Sequence, residues 1–455
     1  MNKNIFRAYD VRGIYGKDLT EEIANLIGKA FGTFVGNGKT IALGRDVRNS
    51  SDILSIGLMG GVISSGCNII DFGLVTTPML SILIKNKKLD GGIMVTASHN
   101  PSEWNGFIMI NSSGHFCSEG MGMEKIKEIV FSEQFFNSEK KGNIIKIDAF
   151  RDYENFLLGK INSSRNLRVV LDPGNGSASK IAKNLFEKAG HDVISINDYP
   201  HGDFPARAPD VRENDLQLLK EKVLEADADI GIGFDCDADR VAFIDEMGNY
   251  LGSGNITIGI FSKHYLKNNP GGKIVFDVTC SSAVEDFIKE NNGIPLVNRV
   301  GHAFIVNRMI EENAIFGGEY SNHLYFSDIH GFDDAIYAAL KMVEIMSSEN
   351  KKLSELASQI PKYHSTDILE IPCDDEHKFS VIEKIKQRLE NENYNVFSLD
   401  GVKVMKGEGS FLIRASNTMP VIKLNSESKN KEKLQELFEF AKKLIGEEIA
   451  GLSVP

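Results

Sequence analysis

The chain has 455 residues, 42% hydrophobic and 25% charged, a composition typical of globular proteins. Because a single hydrophobic core rarely extends beyond roughly 250–300 residues, this length predicts several domains. The 63 acidic residues outnumber the 51 basic ones and give a formal net charge of −12, which argues against a nucleic-acid partner and means that any anionic ligand needs a local basic pocket.

Short apolar runs alternate with amphipathic segments along most of the chain, a pattern typical of α/β layers. In the first unit, apolar residues at helical spacing over 19–34 precede a buried strand predicted at 40–44. Thr20 is expected to cap this helix, since its hydroxyl can accept a hydrogen bond from the first turn. A second buried strand, predicted at 91–95, runs directly into a polar loop.

Three further units follow a charged stretch at 139–146. The second has predicted strands at 167–171, 191–196 and 229–233 and a helix at about 179–189, and the third has a strand at 273–276. The fourth unit reads as α+β, with strands at 366–371, 402–405 and 411–413 and a closing helix whose apolar residues form one stripe. The predicted domain boundaries are 1–149, 150–250, 251–363 and 364–455.

Cysteine use and hydropathy indicate the compartment. The five cysteines are widely spaced and include no C-x-x-C pair, which favours a reducing environment over a disulfide framework or a zinc site. The most apolar stretch, 56–84, is interrupted by Asn68, Asp71 and Pro78, so it reads as helix, strand and helix rather than as a membrane span. The opening residues lack the apolar core of a secretory signal. We therefore expect a cytoplasmic protein with no membrane partner.

The first polar loop with chemical potential is Thr96-Ala-Ser-His-Asn-Pro101. It places the hydroxyl of Ser98 and the imidazole of His99 where a buried strand ends, the usual position of a site in an open α/β sheet. An ordinary Ser/Asn/Pro turn explains these residues equally well.

The second loop, Gly233-Phe-Asp-Cys-Asp-Ala-Asp-Arg240, carries three alternating carboxylates at a strand end. Alternation along an extended chain allows Asp235, Asp237 and Asp239 to converge on one face. Crowded carboxylates repel one another unless a cation neutralises them, and hard oxygen ligands suit Mg²⁺. A solvated acidic turn is the simpler alternative, which the preceding buried strand disfavours.

Two further loops are weaker signals. The loop 317–323 offers the carboxylate, hydroxyl, amide and imidazole of Glu319, Ser321, Asn322 and His323, a mixture suited to sugar hydroxyls. The loop 414–418 offers Arg414, Ser416, Asn417 and Thr418, which together suit a phosphate. Taken alone, the loop 414–418 could be a strand end with an exposed ion pair. Arg48, near the N-terminus, would give no functional signal if it were an isolated arginine on the surface.

Together, the four loops resemble the α-D-phosphohexomutase superfamily, and most closely its phosphomannomutase/phosphoglucomutase branch. The resemblance runs from Phe6-Arg-Ala-Tyr-Asp-Val-Arg-Gly13 to the loop at 414–418 and includes Gly44-Arg-Asp-Val-Arg48. It implies a heart-shaped, four-domain fold of three related α/β domains and a smaller C-terminal α+β domain. It also implies an active site in a central cleft, with one loop from each domain.

The resemblance implies a role for each loop. Ser98 matches a phosphoserine, and Asp235, Asp237 and Asp239 match Mg²⁺ ligands, with a phosphate oxygen on Ser98 completing the coordination. Residues matching catalytic or active-site groups are Arg240, which would neutralise the phosphoryl group, His323, which would transfer a proton, and Tyr9, Arg12 and His302. Residues matching substrate contacts are Glu319, Ser321 and Asn322 for the sugar and Arg414, Ser416, Asn417 and Thr418 for the non-reacting phosphate.

The implied activity interconverts the 1-phosphate and 6-phosphate of mannose or glucose, with hexose 1,6-bisphosphate as intermediate and activator. A small sugar phosphate would be the partner of a monomer or homo-oligomer. Three positions depart from the family pattern: Ile108 and Thr279 stand where relatives often have lysine, and Asn322 replaces glycine. Ile108 and Thr279 leave open a non-catalytic sugar-phosphate-binding paralogue. A phosphoglucosamine mutase is the enzymatic alternative, which the loop at 414–418 and the Glu-x-Ser loop disfavour because they resemble the mannose/glucose branch. An Ile108→Lys change would be expected to raise kcat if the pocket has room.

Overall fold

The computed structural model describes residues 2–374, 376–416 and 420–451. Two residues of the expected phosphate site, Asn417 and Thr418, lie outside this described part of the chain. Among the described residues, none of the helices combines the length and the apolar character needed to cross a membrane.

The first unit is an α/β layer whose sheet has the strand order β1-β5-β4-β2-β3-β6. Its elements are β1 (Val11–Ile14), α1 (Glu21–Val35), β2 (Thr40–Arg45), α2 (Ser51–Ser64), β3 (Asn68–Leu74), α3 (Thr77–Lys87), β4 (Gly91–Val95), β5 (Trp104–Asn111), α4 (Met123–Ser132) and β6 (Ile144–Lys146). The predicted helix and both predicted strands are confirmed, and Thr20 Oγ1 accepts a hydrogen bond from Ile23 N at 3.3 Å. Strand β4 is buried along its whole length, so the loop that follows it leaves the centre of the sheet.

The second unit has the sheet order β11-β10-β9-β7-β8, with β7 parallel to both β8 and β9. Its elements are α5 (Phe150–Leu158), β7 (Arg168–Asp172), α6 (Ala182–Lys188), β8 (Asp192–Ser195), α7 (Gln217–Glu225), β9 (Ile230–Phe234), β10 (Val241–Asp245) and β11 (Tyr250–Leu251). The strands agree with prediction to within a residue or so. The predicted helix at 179–189 is shorter, because a separate 3-10 turn occupies Ser177–Lys180 before α6 begins.

The third unit has the sheet order β13-β12-β14-β15-β16. Its elements are α8 (Gly254–Asn268), β12 (Lys273–Asp277), α9 (Ser282–Glu290), β13 (Ile294–Asn298), α10 (His302–Glu312), β14 (Phe316–Gly318), β15 (Leu324–Phe326), β16 (Phe332–Asp333), α11 (Ala335–Glu349) and α12 (Leu353–Ala357). The antiparallel turn from β14 to β15 carries the predicted sugar loop.

The fourth unit is an antiparallel sheet of order β17-β22-β21-β20-β19, with β18 also paired to β22. Its elements are β17 (His364–Ser365), β18 (Leu369–Pro372), α13 (Lys378–Asn391), β19 (Val396–Phe397), β20 (Val402–Lys406), β21 (Gly409–Ala415), β22 (Val421–Ser428) and α14 (Lys431–Ala450). The predicted apolar stripe of the closing helix is confirmed, with Leu437, Ala441 and Ile445 buried against this sheet.

Apolar packing separates the fourth unit from the rest. One continuous cluster of buried residues runs through the first three units and includes Phe116, Phe234 and Phe326. The fourth unit has a cluster of its own around Phe411 and Leu437. The described contacts between the third and fourth units include polar ones, such as the carboxylate of Glu427 accepting from Ser282 N at 2.7 Å.

Candidate functional site

The serine loop leaves the buried strand β4 and meets the acidic loop of the second unit. Ser98 has a φ of 48°, an uncommon conformation for a residue other than glycine, and is only 2% exposed. Its backbone N–H donates to Thr96 Oγ1 at 2.9 Å. Its hydroxyl donates to Asp235 Oδ2 at 3.2 Å and lies 3.1 Å from His99 Nδ1. The predicted nucleophile therefore faces the predicted metal ligands, although 137 positions separate them in the chain.

The three aspartates of the turn between β9 and β10 converge as predicted. Asp235, Asp237 and Asp239 are buried, and each offers a carboxylate oxygen within 4.8 Å of the others. Burial raises the pKa of all three, and the neighbouring carboxylates of the turn raise those of Asp235 and Asp237 further. The Oδ1 atoms of Asp237 and Asp239 have no hydrogen-bond partner among the described residues. This buried acidic group has the donor chemistry and the unused oxygen atoms needed to hold a divalent cation.

Arg240 connects the acidic turn to the third unit. Its backbone N–H donates to Asp235 Oδ1 at 3.2 Å, and its Nε donates to His323 Nε2 at 3.3 Å. The same imidazole nitrogen lies 3.4 Å from Asp239 Oδ1. Burial, followed by the positive charge of Arg240, lowers the pKa of His323 to about 4. His323 is thus a neutral imidazole at physiological pH, placed beside the acidic turn.

The sugar loop is held in place by its own carboxylate and amide. Glu319 accepts hydrogen bonds from Gly301 N and from Tyr325 Oη, both at 2.7 Å. Asn322, at a φ of 64°, accepts from Thr257 Oγ1 at 2.7 Å and donates to Gly252 O at 2.6 Å. The predicted contact residue Asn322 therefore uses both ends of its amide to hold the turn. Ser321 Oγ lies 3.0 Å from His323 Nδ1.

The remaining predicted residues of the first and third units border the same region. Arg12 pairs with Asp10 at 2.8 Å and donates to Asn100 Oδ1 at 2.6 Å, which attaches it to the serine loop. His302 Nε2 lies 2.9 Å from Asp333 Oδ1. Burial, followed by the charge of Asp10, raises the pKa of Tyr9 to about 12, so its phenol stays protonated at neutral pH.

The fourth loop approaches without a described hydrogen bond to the other three. Arg414 pairs with Asp400 at 3.0 Å, and its buried Nε has no partner among the described residues. It lines a cavity of about 510 Å³ together with Tyr320 and Ser321 of the sugar loop. Ser416, two positions further along the chain, is also buried. The structure therefore brings three predicted loops into direct contact and joins the fourth to them through a cavity.

Family models for all four units match the chain in order. Phosphoglucomutase/phosphomannomutase alpha/beta/alpha domains I, II and III match residues 3–137, 147–248 and 253–363, and the C-terminal domain of the same family matches residues 369–444. The chain belongs to the phosphoglucomutase/phosphomannomutase family.

Similar proteins cover this chain almost completely. A phosphoglucomutase/phosphomannomutase of Thermococcus kodakarensis is 33% identical, over 98% of this chain and 99% of its own. A probable phosphoglucosamine mutase of Methanosarcina acetivorans is 35% identical over 97% and 99%. Among solved structures, a family protein of Burkholderia thailandensis superposes with a TM-score of 0.91 at 29% identity, covering 99% of each chain. The four-domain architecture expected from the resemblance is confirmed.

Sequence reasoning underestimated Arg48. Arg48 is not an isolated surface arginine, because its side chain is fully buried and pairs with Asp46 at 3.0 Å. Its remaining guanidinium N–H groups donate to the backbone carbonyls of Ser98, Asn100, Pro101 and Trp104. Arg48 thus holds the backbone of the serine loop. The motif Gly44-Arg-Asp-Val-Arg48 was the only available signal, since carbonyl acceptors have no sequence signature.

The two departures near the expected phosphate positions have different structural settings. Ile108 is 3% exposed and belongs to the large apolar cluster that includes Phe116. Thr279 donates its backbone N–H and its hydroxyl to Asp277 Oδ1, so its side chain serves the loop after β12. Neither position offers a cation to the cleft.

Proposed function

We propose that this protein is a phosphohexomutase that interconverts hexose 1-phosphate and hexose 6-phosphate, acting on mannose or glucose through phosphorylated Ser98 and a hexose 1,6-bisphosphate. The observation that carries the proposal is the placement of the Ser98 hydroxyl 3.2 Å from Asp235 in the buried acidic turn. A serine in this position can carry a phosphoryl group beside the ligands of a divalent cation. The names of full-length relatives at 33–36% identity support the same activity.

The acidic turn would hold Mg²⁺ through Asp235, Asp237 and Asp239, with an oxygen on phosphorylated Ser98 as a further ligand. The two carboxylate oxygens without a described partner support this assignment, as does burial, which makes three adjacent charges costly without a cation. When bound, Mg²⁺ would offset the roughly −1.5 to −2 charge that a phosphoserine carries.

In the first transfer, a hydroxyl oxygen of the sugar forms a bond to phosphorus while the bond from phosphorus to Ser98 Oγ breaks, and Ser98 Oγ takes up one proton for the one that the sugar hydroxyl gives up. The proton of that hydroxyl passes to His323, whose lowered pKa leaves it neutral and able to accept. Arg240 and Arg12 stabilise the charge on the phosphoryl group, since such transfers depend mainly on positioning and electrostatics. The bisphosphate then turns over, and its other phosphate returns to Ser98.

Other residues of the cleft would hold the substrate while it turns. Glu319 and Ser321 would bind sugar hydroxyls, with Asn322 keeping their turn in shape, and Tyr9 and His302 would line the same space. Arg414, Ser416, Asn417 and Thr418 would bind the phosphate that is not reacting. A site that recognises phosphate through a guanidinium fork can accept either end of the sugar.

A phosphoglucosamine mutase is the second candidate, because a relative of that probable activity is 35% identical over 97% of this chain. A coupled assay with glucose 1-phosphate, mannose 1-phosphate and glucosamine 1-phosphate, each primed with the matching bisphosphate, separates the two. We expect turnover of the glucose or mannose substrate. Turnover of glucosamine 1-phosphate alone would establish the second candidate, and no turnover of any substrate would contradict both.

The coupled assay on a Ser98 variant, together with mass analysis, tests whether Ser98 is the nucleophile. Ser98→Ala should lose most activity, and intact-mass and peptide analysis after incubation with glucose 1,6-bisphosphate should place one phosphate on Ser98. Thr96→Ser provides a matched control in the same loop, because it keeps a hydroxyl and Ser98 itself. A phosphate found only on another residue, or a fully active Ser98→Ala variant, would contradict the assignment.

The reducing setting suggested by the cysteines supports a cytoplasmic location.

A further inference from the structure

The cavity of about 510 Å³ lies between the third and fourth units. One of its walls is formed mostly by residues outside the four loops that the sequence motifs mark. That wall is one face of the fourth sheet, because alternate residues of neighbouring strands point to the same side. Arg414 on β21 is opposite Lys423 on β22, and Leu412 is opposite Lys403 on β20. The other wall is the loop after β12 together with Tyr320 and Ser321. The volume is in the range of a small-molecule site.

The described lining of this cavity has a surplus of positive charge. Its basic side chains are Lys362, Lys403, Arg414 and Lys423, and its carboxylates are Asp277 and Glu427. Both carboxylates are already satisfied by backbone donors, Asp277 by Tyr320 N at 2.6 Å and Glu427 by Ser282 N at 2.7 Å. In a chain with a net charge of −12, such a cavity concentrates anions.

Lys403 differs from Arg414 and Lys423, the other two cations on this sheet face, because no carboxylate among the described residues pairs with it. Its Nζ donates to the carbonyls of Val278 at 3.1 Å and Cys280 at 3.3 Å, on either side of Thr279. It forms no ion pair with any carboxylate in the described ranges, whereas Lys423 pairs with Glu370 at 3.0 Å. Two neutral carbonyls leave one ammonium N–H and the full charge available. Arg414, on the same face, also has an Nε without a described partner.

We propose that Lys403 binds the phosphate of the hexose phosphate that is not being transferred, together with Arg414. This inference rests on the proposed function. Because Lys403 stays bonded to the carbonyls around Thr279, the bound phosphate is tied to both the third and the fourth unit. The fourth unit has an apolar core of its own, so this charged contact adds to the polar contacts that hold it against the third unit, such as that of Glu427 with Ser282 N. Lys403 is then a substrate-binding residue that the sequence motifs do not mark.

The test is a binding measurement with glucose 6-phosphate, mannose 6-phosphate and inorganic phosphate by isothermal titration calorimetry, on the full-length protein in Mg²⁺. Lys403→Met removes the charge and the donors, Lys403→Gln keeps an N–H donor for the carbonyls without charge, and Lys403→Arg keeps the charge. The matched control is Lys406→Met on the same strand, since Lys406 contacts Tyr394 Oη at 3.3 Å and the Phe440 ring, away from the cavity.

We expect Lys403→Met and Lys403→Gln to weaken hexose 6-phosphate binding about tenfold or more, the usual effect of losing a hydrogen bond to a charged group. Lys403→Arg and Lys406→Met should stay within about threefold of the wild type. KM should rise more than kcat falls, because the contact is made before and during transfer.

Two results would overturn the proposal while leaving the mutase activity intact. One is Lys403→Gln binding as tightly as the wild type, which would show that Lys403 serves only the carbonyls. The other is unchanged affinity in Lys403→Met with a lower urea midpoint, which would assign Lys403 to stability alone. If the wild type binds none of the hexose 6-phosphates, the proposed function fails with it.

Discussion

Replacing Arg48 by lysine should loosen the loop that carries Ser98. The five hydrogen bonds of the Arg48 guanidinium go to Asp46 and to the carbonyls of Ser98, Asn100, Pro101 and Trp104. A lysine ammonium has three N–H groups, so at least two of these five acceptors, some of them buried, lose their donor. At about 1–3 kcal/mol for each unsatisfied group, the free energy of unfolding should fall by about 2–6 kcal/mol. Ser98 needs this support, because its positive φ is a strained conformation.

The single tryptophan of the chain makes the effect measurable. Trp104 accepts one of the Arg48 hydrogen bonds, so its fluorescence in a urea titration follows the unfolding of the first unit. We expect Arg48→Lys to lower the urea midpoint and to lower kcat about 10- to 100-fold, since a displaced serine loop misaligns the transfer. Arg45→Lys is the control: it can keep a charge beside Asp71 and the exposed Asp52, and should cost less than about 1 kcal/mol. An Arg48→Lys variant with the same midpoint and kcat as Arg45→Lys would refute the reasoning.

Three further predictions concern the acidic turn, the imidazole and the missing lysine. Asp237→Asn should weaken Mg²⁺ binding in a calorimetric titration at least tenfold and reduce turnover with it, and full turnover of the wild type in chelator-treated buffer would contradict the metal site. His323→Ala should lower kcat strongly while His323→Gln retains binding; a rise in KM with kcat unchanged would show that His323 only contacts the sugar. Ile108→Lys should lower the free energy of unfolding by about 3–5 kcal/mol, and with it the urea midpoint, because the position is 3% exposed in an apolar cluster. A variant with wild-type stability and a raised kcat would show instead that the position can hold a base.

Local sequence patterns were sufficient to locate the strand ends on which the site is built. The run at 91–95 is a fully buried strand, and the run predicted at 229–233 is the fully buried strand Ile230–Phe234, shifted by one residue. The polar residues that follow these strands form the serine and acidic loops. Alternation along an extended chain predicted that Asp235, Asp237 and Asp239 converge. Their ligand atoms do, but through a turn after Phe234 in which Ala238 has a φ of 57°, rather than on one face of a strand. These features depend on a few adjacent residues, which is why the sequence reveals them.

Contacts between distant segments were beyond pattern reasoning. The hydrogen bond from Ser98 to Asp235 joins the first and second units. Only the family resemblance suggested that the serine loop and the acidic loop meet. Arg48 acts on backbone carbonyls, which every residue possesses, so no partner can be identified from side-chain types. Lys403 faces the cavity because of the antiparallel register of β20 and β21, which a sequence does not specify without the turn geometry.

Relatives often carry lysine at the positions of Ile108 and Thr279, whereas this chain has no basic side chain at either. Ile108 is buried among apolar residues and Thr279 donates a hydrogen bond to Asp277. In the proposed mechanism the positive charge would therefore come from Arg12, Arg240 and Arg414, together with Lys403. Arginine stays protonated and cannot accept a proton, which leaves proton transfer to a separate group.

In the proposed mechanism the arginines neutralise charge and His323 accepts the proton, so the basicity of His323 would depend on the charge of the bound substrate. Burial and the charge of Arg240 lower the pKa of His323 to about 4, and an imidazole with so low a pKa is a weak base. A bound phosphate group is negative, and a negative charge close to the imidazole raises its pKa towards neutrality. In the proposed mechanism a sugar phosphate in the cleft would therefore raise the proton affinity of His323, and Mg²⁺ held at Asp239, 3.4 Å from the imidazole, would oppose that rise.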